Sequence, residues 1–177
     1  KFTERITRTT RSLARRIRFY LNSRLSGYTR KLQSEMSFYK ECEHVHELPD
    51  IFHYWSNKYL APDMCRFGFS NPDEFFAHNI KRFMAESTKQ RIRIVSIGSG
   101  NCDLELKISQ KLVQWGLDNF VFECVDINAD MLARGSEAAS KAGLAESFRF
   151  SRDDFNSWKP SGEYEIIMAN QSLHHVL

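Results

Sequence analysis

The residues whose types and spacing could do chemistry are two glycines in Gly98-Ser99-Gly100-Asn101-Cys102-Asp103 and a single acid, Asp126. Gly98 lets the chain turn sharply, and Gly100 lets a ligand approach the backbone without meeting a Cβ. A helix starting near Asp103 offers free N–H groups and a partial positive charge to a carboxylate. Asp126 lies 28 residues after Gly98, where an acid at a strand tip can accept from both hydroxyls of a ribose. A glycine turn alone is weak evidence, but together with this acid it implies a nucleoside-containing cofactor. The dinucleotide fingerprint GxGxxG would place its third glycine at position 103, where this chain has Asp103. A carboxylate there crowds the strand against the helix and repels a pyrophosphate. A cofactor whose moiety near the turn is a zwitterionic amino acid avoids that repulsion.

Strands and helices must bring these residues together. Arg91–Ile97 alternates as a strand and runs straight into the glycine turn. Leu104, Ile108, Leu112 and Trp115 recur at helical spacing, with Gly116 placed to end that helix. Phe120–Asp126 reads as a second strand, and Asn128 and Gly143 bracket a second helix. Phe148–Arg152 reads as a third strand and Tyr164–Asn170 as a fourth. Upstream, Asn71, Pro72 and Glu74 combine an N-cap, a first-turn proline and a capping-box acid, which predicts a helix over 72–86. The fold class is therefore α/β, with a parallel sheet covered on both faces. About ten residues link the third strand to the fourth. Extended, they reach roughly 33 Å. That is enough to cross three strand spacings of about 4.8 Å if the third strand lies two places from the first and the fourth lies on its other side.

Four segments, in order, resemble the class I, Rossmann-like S-adenosylmethionine methyltransferases, particularly their small-molecule branch. Val95-Ser-Ile-Gly98-Ser99-Gly100 is similar to the family's first motif, and Val125-Asp126-Ile127-Asn128 to its second. Arg152-Asp153-Asp154-Phe155 is similar to the third, and Met168-Ala-Asn170-Gln171-Ser-Leu-His-His175 to the fourth. The resemblance covers roughly residues 91–177 and implies S-adenosylmethionine as cofactor and a small-molecule methyl acceptor. It implies that Gly98, Ser99, Gly100 and Asn101 wrap the methionine part, that Asp126 holds the ribose and that Ile127 lies against adenine. It further implies that Asp153, Asp154 and Phe155 meet the adenine edge and that Asn170 and Gln171 flank the sulfonium. The family often carries an acid where Ser96 stands and a glycine where Cys102 stands; Asp103 or Glu105 are the candidates to supply that acid. No catalytic residue is assigned. His174 and His175 lie where substrate is expected, with packing and helix initiation as their other reading. The family's sheet has seven strands, so a chain stopping after the fourth implies a longer protein or a second copy covering the open edge.

The rest of the chain sets the bounds. Of 177 residues, 42% are apolar and 13% aromatic, as in a packed globular domain. No apolar run is long enough to span a bilayer, and four cysteines without CxxC spacing suit a reduced, cytoplasmic protein. No metal site is expected; Cys42, His44 and His46 lack a second ligand pair and read as loop residues. Residues 1–40 hold eleven Lys or Arg against Glu4 and Glu35, a charge of +9, while the remainder is −6. That arm shows an amphipathic helical pattern. Its candidate surfaces are the main domain, an anionic membrane or nucleic acid. The expected organisation is a basic helical region over 1–88 followed by the cofactor-binding domain over 89–177. Tyr54, Trp55 and Tyr59 are candidates for an aromatic lid, with core packing the preferred reading for Trp55. Two other functions compete: a non-catalytic interaction protein with a vestigial nucleotide fold, and an NAD-dependent oxidoreductase.

Overall fold

A computed structural model describes Gly27, Tyr28 and residues 50–173. The chain divides into two units, Lys1–Glu41 and Cys42–Leu177, and the following concerns the second. The basic arm pattern, Cys42, His44, His46, His174 and His175 lie outside the described residues.

The second unit opens with α1 (Asp50–Trp55), a π-helical turn (Ser56–Leu60) and α2 (Ala61–Arg66), none of which buries a residue. Trp55 is therefore not a core residue. It stays 51% exposed, its ring tilted against Tyr59 at 5.8 Å.

Helix α3 (Pro72–Glu86) begins as its sequence dictates. The Asn71 side chain accepts from Glu74 N at 2.9 Å, and Pro72 occupies the first turn, where its missing N–H costs nothing. The Glu74 carboxylate reaches Ser70 N, one residue before the cap.

Four strands follow: β1 (Ile92–Ile97), β2 (Phe120–Asp126), β3 (Phe148–Arg152) and β4 (Ile166–Met168). All pair in parallel, in the order β3-β2-β1-β4 that the linker length allows. Helix α4 (Asp103–Gln114) joins β1 to β2, and α5 (Ala129–Lys141) joins β2 to β3. The Asn128 side chain caps α5 by accepting from Asp130 N and Met131 N. This is a Rossmann-like parallel α/β sheet.

The expected fourth strand, Tyr164–Asn170, contracts to three residues. Glu165 turns its carboxylate onto Arg93 N at 2.8 Å, taking the donor that a longer ladder would use. At the other end Gln171 adopts φ 56°, which no strand tolerates.

Helical cover on both faces is the second expectation to be corrected, for the described residues. Register places Ile92, Ile94 and Ser96 of β1 on one face, with Phe120, Phe122, Cys124, Phe148, Phe150, Ile166 and Met168. The main core cluster draws every strand residue from that face and joins it to Ala77, Ile80 and Met84 of α3, Leu104, Ile108 and Leu112 of α4, and Leu132 and Ala139 of α5. All three helices thus pack on one side. The cause is handedness. The steps β1 to β2 and β2 to β3 advance in the same direction, so right-handed crossovers put both helices on the same face. The step from β3 to β4 reverses direction and must cross the opposite face, and here that crossover is a loop. Tyr164 OH donates to the Glu123 carboxylate at 2.7 Å and Ser161 Oγ does so at 3.1 Å, tying the loop to the second face. Ser151 Oγ donates to the same carboxylate from β3, and Arg93 lies over the Tyr164 ring.

β4 is an edge strand whose Ile167 is 68% exposed. Beside it Phe75, Phe76, Ile80 and Phe83 of α3 line an apolar groove of about 370 Å³ with Ile166 and Ile167.

Candidate functional site

In an open parallel sheet, a ligand site forms at the carboxyl ends of the strands where the strand order reverses. Here that point lies between β1 and β4, and it is where the glycine turn sits. Gly98 N and Ser99 N both donate to Val125 O, at 2.8 and 3.3 Å, so the turn is anchored on β2. Gly98 has φ 68° and Gly100 φ 56°, a region where a Cβ meets its own carbonyl. Space gives a second reason for both glycines. A Cβ on Gly98 would overlap the Ser172 Cβ and stand 3.8 Å from the Phe155 ring, and one on Gly100 would stand 3.0 Å from Met131 Cε.

Asp126 is 9% exposed at the end of β2. Its Oδ2 accepts from Gly100 N and its Oδ1 from Asn128 N, each at 2.8 Å, so one carboxylate fastens the glycine turn to the cap of α5. Each carboxylate oxygen has two lone pairs, which leaves one on each for a diol. Ile127 is partly buried, and its carbonyl accepts from Arg152 Nε at 3.3 Å. The buried Asn101 accepts from Arg134 Nε at 3.0 Å.

The third segment enters from the tip of β3. Asp153 N donates to Asp126 O at 3.1 Å, which places Asp153 directly beside the second strand tip. Asp153 Oδ1 receives Asp154 N, and Asp154 Oδ1 receives Asn156 N at 3.0 Å, so the two acids set the course of the loop. Phe155 reaches across to Gly98. From β4, Asn170 is partly buried and Gln171 exposed. Gly98, Gly100, Asp126, Asp153, Phe155 and the chain just beyond Gln171 therefore converge on one end of the sheet. Tyr54 and Tyr59 are half-exposed on α1 and the π-turn, where Lys58 Nζ donates to Tyr54 OH at 2.9 Å.

Three features of this site arise from contacts that the motif segments make with one another and with the helix that follows the turn. Ser172 is buried, and its Oγ donates to Ile97 O at 2.5 Å, joining the tip of β4 to the tip of β1. Cys102 stands in the left-handed region at φ 60°, a conformation that favours glycine, and is 2% exposed. Beneath the turn, Ser96 Oγ donates to Glu105 Oε1 at 2.5 Å, while Glu105 Oε2 is buried without a partner. Burial pushes the Glu105 carboxyl up to about 7; the Ser96 hydrogen bond pulls the other way, and the charges of Asp103 and Asp126 add to the rise. Burial also pushes the Cys124 thiol well up, with the Cys102 thiol beside it. A hydroxyl at the inward end of β1 and an acid in the first turn of the next helix are both visible in the sequence. Their pairing depends on the rotation of α4, which periodicity alone does not fix.

Among the described residues no group of three or more His, Cys, Asp or Glu could hold a metal ion, and no helix is long and apolar enough to cross a membrane.

No family model matches the chain. No curated protein sequence matches it either. Solved structures do. A SAM-dependent methyltransferase from Geobacter sulfurreducens in complex with S-adenosyl-L-homocysteine is 13% identical, with TM-score 0.41 over 52% of this chain and 35% of that one. A SAM-dependent methyltransferase from Thiobacillus denitrificans, in complex with the same compound, is 13% identical, with TM-score 0.40 over 52% and 35%. The YcgJ protein from Bacillus subtilis is 20% identical, with TM-score 0.42 over 58% and 40%. The chain thus spans about a third of the length of the first two.

Proposed function

We propose that this chain carries the S-adenosylmethionine site of a methyltransferase that acts on a small-molecule acceptor. The observation that carries this reading is the charge around the glycine turn. Asp126 is bonded to the turn itself, and Asp103 opens the helix that follows. A pyrophosphate brought to that turn meets carboxylates, whereas a nucleoside bearing an ammonium and a sulfonium meets its counter-charges. The two positive-φ glycines let the turn pack closely against Ser172 and Met131, and the remaining lone pairs of Asp126 suit a ribose.

When bound, S-adenosylmethionine supplies an activated methyl group on a sulfonium that leaves as a neutral thioether. The chain's own contribution is to hold and orient, which is where most of the rate of such a displacement can come from. Asp126 fixes the sugar, Ile127 and Asp153–Phe155 border the base, Ser99 and Asn101 border the amino-acid end, and Asn170 and Gln171 flank the transfer point. In this reading residues 89–177 form the cofactor-binding domain and residues 1–88 a cap or interaction region.

Calorimetric titration separates the readings. S-adenosylmethionine and S-adenosylhomocysteine should bind and NAD should not. Asp126→Ala should weaken the nucleosides by about 1 to 3 kcal/mol through loss of charge-assisted hydrogen bonds. Binding of NAD with no response to S-adenosylmethionine would overturn the proposal.

A further inference from the structure

Two thiols meet beneath the glycine turn. Cys102 and Cys124 are both free, lie 2% and 0% exposed in one apolar cluster, and are in hydrogen-bonding contact through their side chains. Their backbones differ in how firmly they are held. Cys124 sits in the central strand β2, laddered to β1 on one side and β3 on the other, where it pairs with Ser96 and Phe150. Cys102 ends the glycine turn at φ 60°, just ahead of α4. Its Sγ lies 3.6 Å from Ser99 Oγ and 3.7 Å from Gly100 O, directly under partly exposed residues of the turn. Gly135 of α5 makes room for this thiol, since a Cβ there would stand 2.9 Å from Cys102 Sγ.

We propose that Cys102 is an oxidation site and Cys124 its resolving partner, so that a peroxide closes a disulfide between them and disables the ligand site on the turn. The second half of this rests on the S-adenosylmethionine reading, and the bridge itself does not. The peroxide converts the Cys102 thiol to a sulfenic acid, releasing water as its O–O bond breaks. The Cys124 sulfur then attacks the Cys102 sulfur, the S–S bond forms, and the hydroxyl leaves with the Cys124 proton as a second water. Two thiols thus lose two electrons and two protons, and one peroxide becomes two waters. Position sets the order, because Cys102 lies next to the partly exposed turn, whereas burial keeps the Cys124 thiol protonated in mid-sheet. A disulfide holds its sulfurs much closer than a hydrogen bond between thiols does. The central strand can follow only by breaking two ladders, so the turn gives way. Cys102 leaves Ser99 and Gly100, and Gly100 N is drawn from Asp126 Oδ2, where it bonds at 2.8 Å.

The test treats the full chain with hydrogen peroxide and uses S-adenosylhomocysteine as the ligand. Tryptic mass mapping should recover the peptides of Cys102 and Cys124 joined, and dithiothreitol should part them. Calorimetry should show affinity lower by roughly tenfold or more in the bridged chain, the effect of losing one charge-assisted hydrogen bond, and restored on reduction. In Cys124→Ala the sulfenic acid has no partner, and dimedone should label Cys102. If that variant does not fold, mapping of the unmodified chain decides. Cys102 and Cys124 staying free after a treatment that oxidises the exposed Cys65 overturns this inference. So does a bridged chain that binds as tightly as the reduced one. A reduced chain that fails to bind S-adenosylhomocysteine overturns the cofactor reading, and the bridge is then judged by the mass mapping alone.

Discussion

Replacing Gly98 by alanine tests how closely the tip of β4 approaches the glycine turn. Two costs add at this position. The left-handed φ of 68° penalises any Cβ by about 1 to 2 kcal/mol. The new methyl also overlaps the Ser172 side chain, which is held in place by its bond to Ile97 O, and forced overpacking adds about 1 to 3 kcal/mol. Alanine restricts the unfolded chain and returns about 0.4 to 1 kcal/mol. The net expectation is a loss of about 2 to 4 kcal/mol in urea unfolding. Gly116→Ala is the internal control. Its φ is 75°, yet nothing lies within 4 Å of the added Cβ, so it should cost about 1 kcal/mol or less. Adding Ser172→Gly to Gly98→Ala removes the overlapped atom, and the pair should be less destabilised than the sum of the two single changes by about 1 kcal/mol or more. Equal losses for Gly98→Ala and Gly116→Ala, or strict additivity in the pair, would refute the contact between β4 and the turn.

Glu105 also makes stability depend on pH. Its folded value of about 7 lies above the ordinary 4.5, so the folded state binds the proton more tightly, and stability should fall as pH rises from about 4.5 through 7. The contribution is on the order of 3 kcal/mol, and urea unfolding of Glu105→Gln should lack that decline. Tyr164→Phe removes the 2.7 Å bond to Glu123 and should cost about 1 kcal/mol in the same assay, while a loss below about 0.3 kcal/mol would mean the tie is idle.

The helices and strands from Pro72 to Arg152 were legible because each carries its own boundary signal. Asn71 and Asn128 cap through their side chains, Gly116 and Gly143 stop helices at positive φ, and the strands alternate or run apolar. Strand order was legible only as one the roughly ten-residue link can reach; the link's length does not by itself choose the far side of β1 for β4. The length of β4 was not. Its ladder is cut by the Glu165 side chain, and a side chain competing for a backbone donor leaves no periodic trace. That α4 and α5 share one face could have been anticipated from strand order, because handedness sends only the crossover after β3 to the other face, but a count of helices alone suggested two layers. At the site, Gly98, Gly100 and Asp126 announce themselves by type and spacing. Cys102 stands out only against the glycine the family carries there, and Ser172 not at all, since a buried serine looks ordinary until neighbouring strand tips are brought together.

The loop that crosses the face opposite α4 and α5 has a further consequence. The same few residues that moor it at Glu123 lie downstream of Asp153, Asp154 and Phe155, so one anchor restrains both the flank of the sheet and the border of the ligand pocket. Loosening at Tyr164 and Ser161 would slacken the pocket wall from behind. Amide exchange in residues 153–164 should accordingly track ligand occupancy as a block, speeding up together when Glu123 loses its partners.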